Sequence, residues 1–223
     1  MSLYLVLMLA SFAGPFFLSF DKKVHFYTFW KNVFIAMFPT FVFFVVWDEW
    51  FTQIGVWGFT PRYLQGIYLG HLPLEEVLFF VIIPYNILFV HQVQLAYFPN
   101  LKLENLAKYF TLIFASISFL LAVYYNHQYY TFSACLLATI LCLLLYFSKW
   151  KGYPRFVLTY LMSLVPFLLV NGILTGMATE EPVVWYNPNH IIGFRIITIP
   201  FEDIFYNFAM LAPIVWLFEK RRS

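Results

Sequence analysis

Leu72-Pro73-Leu74-Glu75-Glu76-Val77-Leu78-Phe79-Phe80 and Ile199-Pro200-Phe201-Glu202-Asp203-Ile204-Phe205-Tyr206-Asn207 each place two adjacent carboxylates at the head of a hydrophobic run. Charge is costly beside an apolar segment, so these pairs mark the first place to look for function. The correspondence continues upstream at a constant offset of 127 residues, pairing Phe59 with Tyr186, Pro61 with Pro188, Leu64 with Ile191, Gly66 with Gly193 and Leu69 with Ile196. A duplicated acidic motif organises the chain.

Composition says where that motif sits. With 62% hydrophobic and 11% charged residues, the chain has too little polar surface to cover itself in water, and it belongs in a bilayer. Its mean hydropathy is +0.77. An aromatic content of 23%, led by 29 Phe, suits a site for a flat, greasy or cationic species, though a general bias toward Phe would give the same figure. A net charge of only +2 argues against nucleic acid as a partner. Cys135 and Cys142 fall seven apart in one apolar run, where they cannot bridge each other and read as packing residues.

Apolar runs of roughly 17–25 residues predict seven transmembrane helices, at 3–19, 33–51, 74–94, 107–124, 131–147, 156–173 and 201–218. The first has no basic segment ahead of it and no small-residue cleavage pattern, so it reads as a retained helix. Alternating loops place Lys22, Lys23, Lys31, Lys102, Lys108, Lys149, Lys151, Arg155, Lys220, Arg221 and Arg222 on one side, and only Arg62 and Arg195 on the other. The positive-inside rule makes the first side cytoplasmic, with the N-terminus outside and the C-terminus inside.

Helices two and three flank the first motif as helices six and seven flank the second, and an offset of four helices preserves direction across the membrane. The expected fold is therefore an all-α integral membrane protein with seven transmembrane helices. It comprises two parallel three-helix repeats, over 1–98 and 129–223, joined by a spacer helix over 99–128. Both acidic motifs then lie at the same, non-cytoplasmic face, where one site can use both.

Pro73 and Pro200 suit the first turn of a helix, where a missing N–H costs nothing. Glu75, Glu76, Glu202 and Asp203 then fall in the first turns of helices three and seven. An acid there complements the helix dipole by about 0.3–1 kcal/mol, which would account for a single acid but hardly for four at duplicated positions. Phe79 lies one turn beyond the first pair, and Tyr206 and Asn207 one turn beyond the second. Because the dipole favours ionised carboxylates, acid catalysis needs an opposing influence. Desolvation and repulsion among carboxylates sharing a site supply one, so that one group keeps a proton while another stays charged. Such a set can lend and retrieve a proton in one turnover.

Asp48 and Asn171 each end the helix ahead of a motif, and intramembrane polar groups commonly face inward. Arg195, which is not duplicated, either pairs with a carboxylate or sits in a solvated loop. His71 and His190 have no partners at metal-ligand spacing, and no metal site is expected.

Leu-Pro-Leu-Glu-Glu-x-x-Phe-Phe, echoed by Ile-Pro-Phe-Glu-Asp-x-x-Tyr-Asn after Tyr186-Asn187-Pro188, resembles the membrane-embedded carotenoid (lycopene) cyclases. These occur in bacteria, archaea and fungi as two small subunits or one fused chain. The resemblance spans nearly the whole length, helices one to three resembling one subunit and five to seven the other. It implies a lycopene β-cyclase, an intramolecular lyase or isomerase that turns the linear end groups of lycopene into β-ionone rings, giving β-carotene by way of γ-carotene. An acid protonates the terminal double bond, a nearby alkene attacks the cation, and a base removes a proton, without net redox.

On this reading Glu75, Glu76, Glu202 and Asp203 form the acid/base group, and Phe79, Phe80 and Tyr206 stabilise the cation. Asn171 and Asn207 orient the reacting groups, and Asp48 and Arg195 line the substrate site. Glu75→Gln or Glu202→Gln is expected to stop turnover without loss of folded protein. No cofactor is expected, because no G-x-G-x-x-G follows a strand to hold flavin or nicotinamide. The implied partners are a hydrophobic C40 polyene and the lipid bilayer of a bacterial cytoplasmic membrane; association with other carotenoid-pathway enzymes is left open.

A carotenoid hydratase or another isoprenoid-modifying membrane enzyme would use the same parts. A proton or cation transporter also carries repeated intramembrane acids, but no chain of polar residues crosses helices four or five. A retinal-binding photoreceptor would need a mid-helix lysine, and a prenyltransferase would need Asp-rich motifs for Mg²⁺.

Overall fold

Backbone polar groups in lipid must be paired within their own segment, and the apolar runs accordingly become helices. A computed structural model describes residues 1–222. Its helices are α1 (Leu3–Leu18), α2 (Trp30–Gln53), α3 (Leu74–Tyr97), α4 (Glu104–Tyr124), α5 (Tyr129–Phe147), α6 (Tyr153–Leu174) and α7 (Glu202–Arg222). Each covers one of the expected runs, and most extend up to a turn into the flanking polar residues. Five, α2 to α6, are long and apolar enough to cross a membrane. By contrast α1 has 16 residues, about 24 Å of helix. The last helix carries acids in its first turn and Lys220, Arg221 and Arg222 in its last.

The loops ahead of the acidic helices hold short strands that hydrophobic periodicity does not reveal. Between α2 and α3 run β1 (Trp57–Phe59), a 3-10 turn (Pro61–Tyr63), β2 (Tyr68–Leu69) and β3 (Leu72–Pro73). Between α6 and α7 run β4 (Val184–Tyr186), a 3-10 turn (Pro188–His190), β5 (Arg195–Ile196) and β6 (Ile199–Pro200). The second series falls 127 residues after the first, element for element. β2 pairs with β3 and β5 with β6, so each loop closes on itself as a hairpin. β1 instead pairs antiparallel with β4, setting Trp57 opposite Tyr186 and Phe59 opposite Val184. That cross-pairing draws the two acidic motifs to one end of the bundle.

The hairpin turns differ in one telling residue. Gly70 in the first has φ +64°, and Ile197 holds φ +61° at the matching position in the second. A β-branched side chain is strained in that left-handed region, by about 1–2 kcal/mol. Ile197 is exposed and loses no packing if truncated. Ile197→Gly is therefore expected to raise stability by up to about 1 kcal/mol once the extra freedom of the unfolded glycine is counted. An unchanged or lowered melting temperature in detergent would refute this.

α7 sits at the centre, against α2, α3, α5 and α6. Phe205, Phe208, Met210, Leu211, Ile214, Val215 and Phe218 of that helix are all buried, and Phe208 packs on Phe114 with ring centres 4.6 Å apart. α1 lies along α3 as α5 lies along α7, and α4 rests on α5 and α6. At the end away from the motifs, Glu219 accepts from Trp150 Nε1 at 2.7 Å and meets His91 Nε2 at 2.8 Å. His91 Nδ1 in turn lies 2.8 Å from Thr159 Oγ1. Arg155 is buried beside this cluster and donates to the carbonyls of Gln94 and Pro99, where cations suit the C-terminal end of α3.

Candidate functional site

Adjacent residues on a helix point about 100° apart, so two neighbouring carboxylates cannot face one cavity. The structure divides each pair accordingly. Glu75 is fully buried, and its Oε1 accepts from Ser2 Oγ at 2.6 Å and from the N–H of Gln65 at 2.7 Å. Glu202 is equally buried, and its Oε1 accepts from Thr131 Oγ1 at 2.6 Å and from the N–H of Ile192 at 2.6 Å. Each takes the amide ten residues upstream, so each clasps its own loop onto its own helix.

Glu76 and Asp203 turn the other way and line a single cleft. Tyr4 of α1 donates its hydroxyl to Glu76 Oε2 at 2.6 Å. Tyr130 of α5 donates to Asp203 Oδ1 at 2.5 Å. Asp203 Oδ2 also accepts from Asn171 Nδ2 at 2.7 Å and from Tyr186 O–H at 3.1 Å. A tyrosine from the first helix of each half thus serves the second carboxylate of each motif. Burial, with Asp203 and Glu76 close by, holds the Tyr186 phenol well above its ordinary range, which keeps it a hydrogen-bond donor.

Asp48 of α2 brings a third carboxyl to the cleft, where its Oδ2 is buried without a hydrogen-bond partner among the described residues. Among the described residues that line the cleft there is no lysine or arginine to neutralise the three acids. The remaining wall is largely aromatic, with Trp57, Phe79, Tyr130, Phe167, Tyr186 and Tyr206. Tyr206 is held edge-on by Phe44 at 5.0 Å and Trp47 at 5.7 Å. The cleft encloses about 50 Å³.

A second, apolar cavity of about 650 Å³ adjoins it. Phe79, Phe167, Asn171 and Asn207 line both and form the boundary between them. From that boundary the groove follows Ile83, Ile87 and Val90 down one face of α3, with α6 opposite and Ser11 and Pro15 of α1 alongside. Phe79 to Val90 spans about 16 Å of helix. On α6 the lining residues Met162, Val165 and Leu169 are also exposed, so the groove opens sideways toward the surroundings of the bundle.

Of the residues singled out from sequence, Glu76, Asp203, Asp48, Phe79, Tyr206, Asn171 and Asn207 meet at the cleft. Four lie elsewhere. Glu75 and Glu202 hold loops, for the angular reason given above. Phe80 is turned into the core, 6.4 Å from the Phe44 ring. Arg195 pairs with no carboxylate among the described residues; it is exposed at the hairpin, donates to the carbonyl of Thr198 and stands 5.9 Å from the Tyr186 ring. Tyr4, Tyr130, Trp57 and Phe167 were not singled out by sequence reasoning. Tyr4 and Tyr130 carry a usable signal all the same, since each is a phenol in the first turn or so of an otherwise apolar helix, 126 residues apart.

A family model described as lycopene cyclase matches residues 1–94 and 127–220. The unmatched stretch between them carries α4. Comparison with curated proteins and with solved structures gives no match.

Proposed function

The chain belongs to the lycopene cyclase family, and from that premise we propose that it closes the end groups of lycopene into β-ionone rings at the acidic cleft. The observation that carries the reading is the adjacency of two unlike spaces: a cleft holding Glu76 and Asp203, and an apolar groove that abuts it at Phe79 and Phe167. A polyene fits the groove, and its terminal double bond fits the cleft.

Hydrogen bonding supports a division of roles. Asp203 receives three donors and is set up as a proton acceptor, whereas Glu76 receives one and serves as the acid. Glu76 protonates the terminal alkene, and a tertiary cation forms. The internal alkene attacks it to close a six-membered ring, and Asp203 takes the proton that leaves. Aromatic walls favour the passing cation, and exclusion of bulk water protects it. Oxidation state is unchanged throughout, as befits an isomerase.

All seven helices cross the membrane on this reading, α1 and α7 being carried by their packing on α3 and around the bundle centre. The basic-rich loops face the cytoplasm, and the two halves form a parallel duplication with α4 as spacer. An extended chain advances roughly 1.2 Å per bond, so the 16 Å groove takes in about 13 bonds, less than half of a C40 polyene. The far end then lies in lipid, and one cleft serves one end at a time. Monocyclic product is expected to precede bicyclic product in a time course; bicyclic product arising with no monocyclic species at the earliest points would contradict a single centre.

The direct test is the pigment of lycopene-accumulating cells that express the chain, with a shift from red toward orange or yellow expected. Unchanged lycopene in cells whose membranes contain the folded protein would overturn the proposal. Bulk placed in the groove should act on substrate entry rather than folding. Ile83→Trp is expected to lower ring formation at least tenfold with the folded yield unchanged, read by extracted pigment per molecule of membrane protein.

A further inference from the structure

Three buried polar atoms in the cleft have no hydrogen-bond partner among the described residues: Asp48 Oδ2, Tyr206 O–H and Asn207 Oδ1. Asp48 and Asn207 are only 4% and 2% exposed, so ordinary solvent does not serve them. Buried polar atoms are nearly always paired, and one left alone costs about 1–3 kcal/mol. None of the three is repeated at the matching position of the other half. At the 127-residue offset, Asp48 corresponds to Thr175, whose hydroxyl donates to the carbonyl of Asn171 and lies 2.8 Å from Thr198 Oγ1. Tyr206 and Asn207 correspond to Phe79 and Phe80, which carry no polar atom. The duplicated scaffold does not require this polar triad.

We infer that Asp48, Tyr206 and Asn207 hold an ordered water beside the acid pair, and that through it the protein also hydrates polyene ends that cannot close a ring. The donors and acceptors match. A water gives one hydrogen to Asp48 Oδ2 and one to Asn207 Oδ1, and takes one from Tyr206 O–H, the usual total of about three for a buried water. Its second lone pair stays free. The cleft's 50 Å³ exceeds the roughly 10–15 Å³ that one water needs.

The inference rests on the acid–base reading of the cleft. With lycopene, the internal alkene captures the cation first because it belongs to the same molecule. If that alkene is saturated, no π electrons reach the cation. The free lone pair of the water then forms the C–O bond, and the surplus proton passes from oxygen to the Asp48 carboxylate. One water is consumed, the product is a tertiary alcohol, and nothing is oxidised or reduced. Transfer of the proton from Asp48 to Glu76 restores the starting state.

Membranes containing the protein are incubated in H₂¹⁸O with lycopene, and separately with an analogue whose ring-closing double bond is saturated at both ends. Mass spectrometry should find the analogue converted to a tertiary alcohol carrying ¹⁸O. In Tyr206→Phe and Asn207→Leu, the ratio of hydration to lycopene cyclisation should fall at least tenfold; a ratio is read because both residues line the reacting cleft. Wild-type membranes that cyclise lycopene but make no labelled alcohol would overturn the water site while leaving the cyclase reading intact. So would a ratio that stays within twofold in both variants, since the water would then come from elsewhere. Membranes that transform neither compound would instead remove the acid–base reading on which the inference stands.

Discussion

Glu76→Gln is expected to lower ring formation by about 10²–10⁴-fold, the usual contribution of a positioned general acid, with no loss of folded protein from the membrane. Glutamine keeps the shape of the side chain and still offers an oxygen to the Tyr4 hydroxyl, so the packing of α1 on α3 is preserved. What it cannot do is hand a proton to an alkene. Asp203→Asn should fall in the same range for the converse reason, because an amide cannot take the proton back. The measurement is ring product per folded molecule, with folding followed independently by detergent-solubilised yield and melting temperature. More than about a tenth of wild-type turnover in Glu76→Gln would exclude it as the acid, since that loss is smaller than general acid catalysis supplies.

The second large effect belongs to the neighbouring carboxylates, and it lies in folding. Glu202→Ala removes the acceptor of the half-buried Ile192 amide and leaves the buried Thr131 hydroxyl only its 3.2 Å contact to Gln128 Oε1. Hydrogen bonds to a charged group contribute about 1.5–3 kcal/mol each, so losing two costs about 3–6 kcal/mol. Against a typical margin of about 5–15 kcal/mol, that removes much of the folded population. Glu75→Ala should behave alike, through Gln65 and Ser2. The molecules that do fold should retain turnover within a few-fold. Normal folded yield with abolished turnover would return Glu202 to the reacting group, where the sequence alone had placed it.

That reassignment marks the limit of what the residues disclose unaided. Seven helical segments and the 127-residue register were legible because apolar length and repetition are properties of a linear string. Choosing between Glu75 and Glu76 is not, since the two differ by a rotation about the helix axis. The rotation is fixed by where a loop amide arrives from, at Gln65 in one half and Ile192 in the other. Asp48 and Asn171 were recognisable as polar groups near the right face, but their convergence depends on β1 pairing with β4, and three-residue strands leave no periodic trace. Tyr4 and Tyr130 each lie over 70 residues from the carboxylate they serve. The position of Arg195 was not legible either, because the hairpin turn that points it at Thr198 depends on backbone geometry at Ile197.

The central position of α7 has a consequence for biogenesis. The helix that fills the middle of the bundle leaves the ribosome after α1 to α6, and it brings Asp203 and Tyr206 with it. Six earlier segments must wait around an unfilled axis, and no partial chain can build the cleft or close the Phe208 cluster. Truncation ahead of Glu202 should therefore yield a hollow intermediate that proteolytic surveillance in the membrane clears, instead of an enzyme with reduced rate.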